Sequence, residues 1–162
     1  MSASLQMRLT GGSSNSDPDL ALGGVSSSNQ LSATALHNLF DQVSSAEALA
    51  GDTEYRALDI YNAGDATAAS VEMYMSVETP SSKSSLDFGK VTSPLNDTES
   101  IADESTAPVG TGITFAHYTS GSKLSLPDIP AGQYCRIWFK RIIQAAAVNV
   151  ASDLGTITVA YA

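Results

Sequence analysis

From Thr53 onward the chain alternates apolar and polar residues with a period of two. In Ala69 to Glu78, Val71, Met73, Met75 and Val77 alternate with Glu72, Tyr74, Ser76 and Glu78, the pattern of a strand with one buried and one wetted face. Leu58 and Ile60 mark another strand over Tyr55 to Tyr61, and Asn62-Ala63-Gly64-Asp65 supplies turn chemistry between the two, so an antiparallel pair is expected. Further strands are expected at Ser85 to Val91, Gly112 to His117 and Ser122 to Leu126. Two stronger ones follow at Gln133 to Ile143 (Cys135, Ile137, Phe139, Ile143) and Gly155 to Tyr161 (Ile157, Val159, Tyr161). About seven short strands punctuated by Gly, Pro and Asn/Asp predict an all-β, antiparallel β-sandwich, immunoglobulin-like or jelly-roll.

Residues 1–51 read differently. Leu5, Met7 and Leu9 alternate with Gln6 and Arg8, but Gly11 to Pro18 and Gly23 to Asn29 are rich in Gly, Ser and Asn, which are loop signals. Between Ser32 and Val43, Ala33, Leu36, Leu39, Phe40 and Val43 fall at helical spacing behind a Ser32 cap, enough for one short helix. The predicted organisation is therefore an extended N-terminal arm over 1–51 and a sandwich domain over 52–162.

Composition narrows the function. With 8 Lys+Arg against 17 Asp+Glu, the net charge of −9 repels phosphate backbones and anionic lipid, so neither nucleic acid nor membrane is an expected partner. A single cysteine, Cys135, permits no intramolecular disulfide and no Cys metal set. The N-terminus lacks a basic start followed by an apolar block, and no run reaches the ~20 apolar residues of a spanning helix. Synthesis and assembly in a cytoplasm are expected.

Candidate chemistry is sparse. His37 and His117 have no Cys, His or acidic neighbour at metal-ligand spacing. No serine sits in a nucleophile motif, and Gly110-Thr111-Gly112 lacks the rest of a phosphate-binding fingerprint, so it reads as a turn. Carboxylates group at Asp52-Thr53-Glu54, Asn96-Asp97-Thr98-Glu99 and Asp103-Glu104, none in a calcium-loop pattern, and solvated loops are the simpler reading. No catalytic residue, metal site or cofactor is expected.

Two features point to partners instead. Alternation puts Arg136, Trp138 and Lys140 on one face, opposite Ile137 and Phe139, so the only tryptophan is flanked by cations in an acidic protein. Trp and Arg are enriched at interface hot spots, which makes this a contact patch unless the N-terminal segment folds over it. Leu5, Met7 and Leu9 suit a strand added to the sheet edge of another subunit, which would offset the ordering entropy of a long Gly/Ser-rich arm.

The turn Leu126-Pro-Asp-Ile-Pro-Ala-Gly132 before a strong strand resembles the corner that introduces a core strand in many immunoglobulin-like modules. Three longer runs are similar to a group of tailed-bacteriophage virion structural proteins: Asn38-Leu-Phe-Asp-Gln-Val-Ser-Ser-Ala-Glu-Ala-Leu-Ala-Gly-Asp-Thr-Glu-Tyr-Arg56, Ile101-Ala-Asp-Glu-Ser-Thr-Ala-Pro108, and Asp128-Ile-Pro-Ala-Gly-Gln-Tyr-Cys-Arg-Ile-Trp-Phe-Lys-Arg141. The resemblance implies no enzymatic activity and no cofactor. It implies a capsid cement or decoration protein on the virion exterior, bound to the major capsid protein and to itself as a homodimer or homotrimer, with the arm bridging capsomers. A tail, neck or baseplate component and an immunoglobulin-like module for host carbohydrate remain open as alternatives.

Overall fold

The period-two segments become strands of two antiparallel sheets packed face to face. The structure, a computed structural model, describes residues 1–35, 37–148 and 153–162. One sheet has the order β2-β1-β3-β7-β5, built from β1 Leu5–Thr10, β2 Ser26–Gln30, β3 Asp52–Asn62, β5 Ser84–Gly89 and β7 Tyr134–Ile143. The other has the order β6-β4-β8, from β4 Glu72–Glu78, β6 Leu124–Ser125 and β8 Gly155–Ala160. The expected β-sandwich is thus the fold.

The main core lies between the sheets. Leu9, Leu58, Ile60, Phe88, Cys135, Ile137 and Phe139 meet Val71, Met73, Met75 and Leu124 in one cluster, with Ile157 and Val159 packed against it. Burying each large apolar side chain stabilises the fold by roughly 1.5–3 kcal/mol. β3 and β7, the two longest strands, pair along ten registered positions from Asp52↔Ile143 to Tyr61↔Tyr134 and form the spine.

Several expectations are corrected. Residues 1–51 are not a free arm: β1 lies inside the sheet between β2 and β3, with Met7 opposite Ile60 and Leu9 buried. The alternation of Leu5, Met7 and Leu9 was a strand signal, but the edge it completes belongs to its own chain. β2 was missed because Ser26-Ser-Ser-Asn-Gln30 has no apolar side chain; backbone pairing with β1 carries it, and Ser28 N–H also donates to the Ser13 carbonyl. β3 and β4 are not a hairpin but belong to different sheets. Both edges of β3 are taken by β1 and β7, so the chain must leave for the other layer. Asn62 locks that corner: its side chain accepts from the N–H groups of Ser4 and Gly64 and donates to the carbonyls of Ala66 and Ile129.

Over 32–43 no helix forms among the described residues; Leu36 lies outside them. Leu39 goes into the core and Phe40 stacks beneath Arg56 and Arg141, 5.5 and 4.8 Å from its ring centroid. The helix instead occupies α1 Ser45–Ala50, where Ser44 and Glu47 form a reciprocal capping box. The strand expected at Gly112 to His117 reduces to a single bridge, Phe88↔Ala116.

Candidate functional site

The outer face of the five-stranded sheet holds the residues that sequence reasoning assigned to a contact patch. Alternation along β7 does place Arg136, Trp138 and Lys140 together, opposite Ile137 and Phe139, and register sets them across from Asp59, Ala57 and Tyr55 of β3. Two loops cover this face. The chain after β1 crosses it: Thr10 Oγ1 donates to the Ala57 carbonyl and accepts from Gly23 N–H, and Ala57 N–H donates to Ala21. The segment around Ser100 follows, with Ile101 N–H donating to Leu22 and Gly24 N–H to Glu99.

Trp138 is therefore fully buried, in a second apolar cluster with Ala57 and Ile101, against which Leu22, Tyr55, Ile113 and Phe115 pack. Its indole N–H has no acceptor among the described residues. Gly23 makes the close approach feasible: its φ of +87° suits glycine, and an added Cβ would collide with the Glu99 carbonyl and lie 2.9 Å from Trp138 Cη2. Lys140 stays half-buried, its ammonium 5.9 Å from the Phe115 ring centroid.

Arg136 is the centre of a buried clasp. Its Nε donates to Asp59 Oδ1 at 2.5 Å and its Nη2 to Asp59 Oδ2 at 3.2 Å, with both side chains at 0% exposure. Nη1 donates to the Glu99 carbonyl at 2.9 Å, and Nη2 also donates to the Gly24 carbonyl at 2.8 Å. One guanidinium thus joins β3, β7 and both covering loops. Burial pushes the Asp59 carboxyl above its ordinary range, partly opposed by the Arg136 bonds. The expected contact patch of Arg136, Trp138 and Lys140 is an internal lock, and Leu5, Met7 and Leu9 serve the core of their own sheet.

A second charged cluster lies near the opposite end of β3. Arg141 bonds Glu54 through Nε, and donates to the Asp41 carbonyl at 2.6 Å and to Asp41 Oδ1 at 3.1 Å. Arg56, also buried, pairs with Glu104 and lies 3.6 Å from Asp19. Glu54 is buried rather than solvated as expected, and burial raises its carboxyl from the usual value against the pull of Arg141.

The remaining candidates have structural duties. Carboxylate oxygens of Glu47, Asp52 and Glu54 lie within 4.8 Å of one another. Each residue is already engaged, by Ser44 N–H, Thr53 N–H and Arg141 respectively, so the trio serves a helix cap, a strand start and an ion pair. His117 bridges the layers, Nδ1 3.0 Å from the Leu86 carbonyl and Nε2 3.0 Å from Glu78, while His37 is exposed. Cys135 is buried in the core, and burial pushes its thiol up to about 12, far from nucleophilic use.

One long strand edge among the described residues is uncovered, that of β8. β5 is flanked by the Ala116 bridge and β2 by the Ser13 loop. Among the described residues no hydrogen bond reaches the outer edge of β8, and Leu154 and Tyr161 at its two ends are exposed. Sequence reasoning found β8 itself but not this property, because which strand ends a sheet depends on pairings remote in sequence. The chain matches no family model, no curated protein and no solved structure.

Proposed function

We propose that this protein is a virion structural subunit of the tailed-bacteriophage kind, acting as a capsid cement or decoration protein on the exterior of the shell. The reading rests on the resemblance carried by residues 38–56, 101–108 and 128–141 and on a surface organised for contact. The observation that carries it is the division of labour among polar groups: Arg56, Arg136 and Arg141 are spent on internal ion pairs, while β8 offers a strand edge that no hydrogen bond from the described residues reaches, with Leu154 and Tyr161 exposed at its two ends. A rigid sandwich with such an edge supports binding rather than turnover.

In this reading the body binds the major capsid protein and adds stability to the shell by mass action, as any ligand of the assembled state does. Bridging by a free arm has no place in it, since β1 and β2 are built into the sheet. The three resembling segments meet in the fold: Ile101 packs on Trp138, Glu104 pairs with Arg56, and residues 52–56 run beside β7. They act together as a scaffold.

The test is to mix purified protein with shells that lack it and image the particles. Regular occupancy of the outer shell and a raised temperature of shell rupture are expected. Binding confined to one vertex or to tails would replace cement by a tail or neck role, and no binding to any particle would overturn the proposal.

A further inference from the structure

The free edge of β8 has a register of its own that can be worked out. Ala162 and Ala69 exchange both backbone bonds, and Thr79 N–H donates to Leu154, so Leu154 and Ala162 turn their backbone groups toward β4. Strand geometry makes Thr156, Thr158 and Ala160 do the same. Met75 N–H confirms the parity from the other side: it bonds Tyr118, away from its β8 partner Ile157. The N–H and C=O groups of Gly155, Ile157, Val159 and Tyr161 therefore face outward.

This edge lacks the usual protections. From Leu154 to Ala162 there is no charge and no proline, and β8 itself shows no bulge, the irregularity lying on β4 between Met75 and Val77. Ile, Val and Thr, the best strand formers, fill its centre. We propose that β8 pairs with β8 of a second copy of this chain, antiparallel about a two-fold axis at Thr158, joining two three-stranded sheets into one.

The sequence around the axis is self-complementary. Ile157 falls opposite the second copy's Val159 and Gly155 opposite its Tyr161, and these are the residues whose backbone groups face outward, so each pair exchanges both bonds. The phenol ring of Tyr161, exposed at 43% in the single chain, lies over a glycine, a favourable cross-strand arrangement. Thr156 meets Ala160, and Thr158 meets itself. No charged side chain opposes a like charge within the paired segment. The partner is thus argued to be the same chain, because a two-fold contact requires a surface complementary to itself. The net charge of −9 opposes association at long range only, and salt screens it over about 10 Å at 0.1 M.

The pairing stands whether or not the protein belongs to a virion. Thr158 lies on the outer face beside Tyr74, away from the core contacts of Ile157 and Val159, so it accepts substitution without disturbing the core. Across the axis the two Thr158 residues form a non-hydrogen-bonded pair with Cα atoms about 4.5 Å apart, within disulfide reach.

The experiment is sedimentation of the full chain together with oxidation of Thr158→Cys. A dimer is expected that tightens between 0.05 and 0.5 M NaCl, and mild oxidation of Thr158→Cys should crosslink it nearly completely. Thr156→Cys should not crosslink, since its own copy is four positions away, about 13 Å. Thr158→Glu places like charges across the axis and should weaken association at least about tenfold, with unchanged far-UV circular dichroism. A wild-type monomer at several hundred micromolar, or equal crosslinking at 156 and 158, would overturn the proposal.

Discussion

Breaking the buried Asp59 and Arg136 pair gives the sharpest test of the structure. Arg136→Met leaves a carboxylate at 0% exposure with no cation and removes the donor to the Gly24 carbonyl, while the Glu99 carbonyl loses one donor and keeps Gly24 N–H. Losing one member of a buried pair costs about 3–5 kcal/mol, and the orphaned Gly24 carbonyl adds about 1–3 kcal/mol. Against a typical total of about 5–15 kcal/mol, that is a large share. Asp59→Leu leaves the guanidinium its two carbonyl acceptors and costs less. In the double variant the carboxylate no longer needs a cation, so Asp59→Leu should destabilise the wild type yet stabilise Arg136→Met, by about 2 kcal/mol. The assay is urea unfolding followed by fluorescence of Trp138, the only tryptophan, which sits in the same sheet face as the clasp. With a slope of about 2 kcal/mol per M, Arg136→Met lowers the midpoint by about 2 M or more. If Arg136→Met costs less than about 1 kcal/mol, or if the two single losses simply add, the clasp does not hold the loops as described.

Three further outcomes follow from other parts of the fold. Deleting Met1 to Leu31 should abolish cooperative thermal unfolding, because it strips β1 and β2 from β3 and takes Leu9 from the core; a truncated protein that melts cooperatively would show that β1 is dispensable. Gly23→Ala should destabilise by about 2–4 kcal/mol in the same urea assay, combining strain at φ +87° with collision against Glu99, whereas Gly132→Ala, with open space around its Cβ, should suffer only the strain. Cys135 should react with a thiol reagent at pH 8 no faster than the chain unfolds, since it is buried and its thiol is pushed to about 12 from an ordinary 9.0. The folded state then holds this proton while the unfolded state loses it above pH 9. Stability should therefore fall with rising pH in the window from 9 to 12, by up to about 1.4 kcal/mol per unit from this group. Cys135→Ala should flatten that part of the slope, and rapid labelling of the folded protein would contradict the burial.

Strand content was legible in the residues because alternation is a local record of one buried face. Val71, Met73 and Met75, and Ile137 and Phe139, each declare which side meets the core, whatever lies beyond. The same alternation correctly grouped Arg136, Trp138 and Lys140 on the other side. It did not reveal that this side is covered too, because the cover comes from Gly11 to Gly24 and Glu99 to Ile101, loops whose composition looks solvent-exposed. Gly23 is the one hint, as a residue small enough to let backbone lie on an indole ring, but its contact partner is over a hundred residues away in the chain.

Pairing was decided by the tertiary structure alone. Leu5, Met7 and Leu9 specify a strand and not its neighbour; that the neighbour is β3 follows from competition for an edge, which depends on the other strands as well. Ser26 to Gln30 forms a strand only because β1 offers it hydrogen bonds. The helical spacing over 32–43 gave way to packing, with Phe40 held by two arginines and Leu39 by the core. Side-chain patterns encode which faces are buried, through the hydrophobic effect acting locally. Backbone hydrogen bonds between distant segments carry no such mark, and they determine which strands join and which edge is left open.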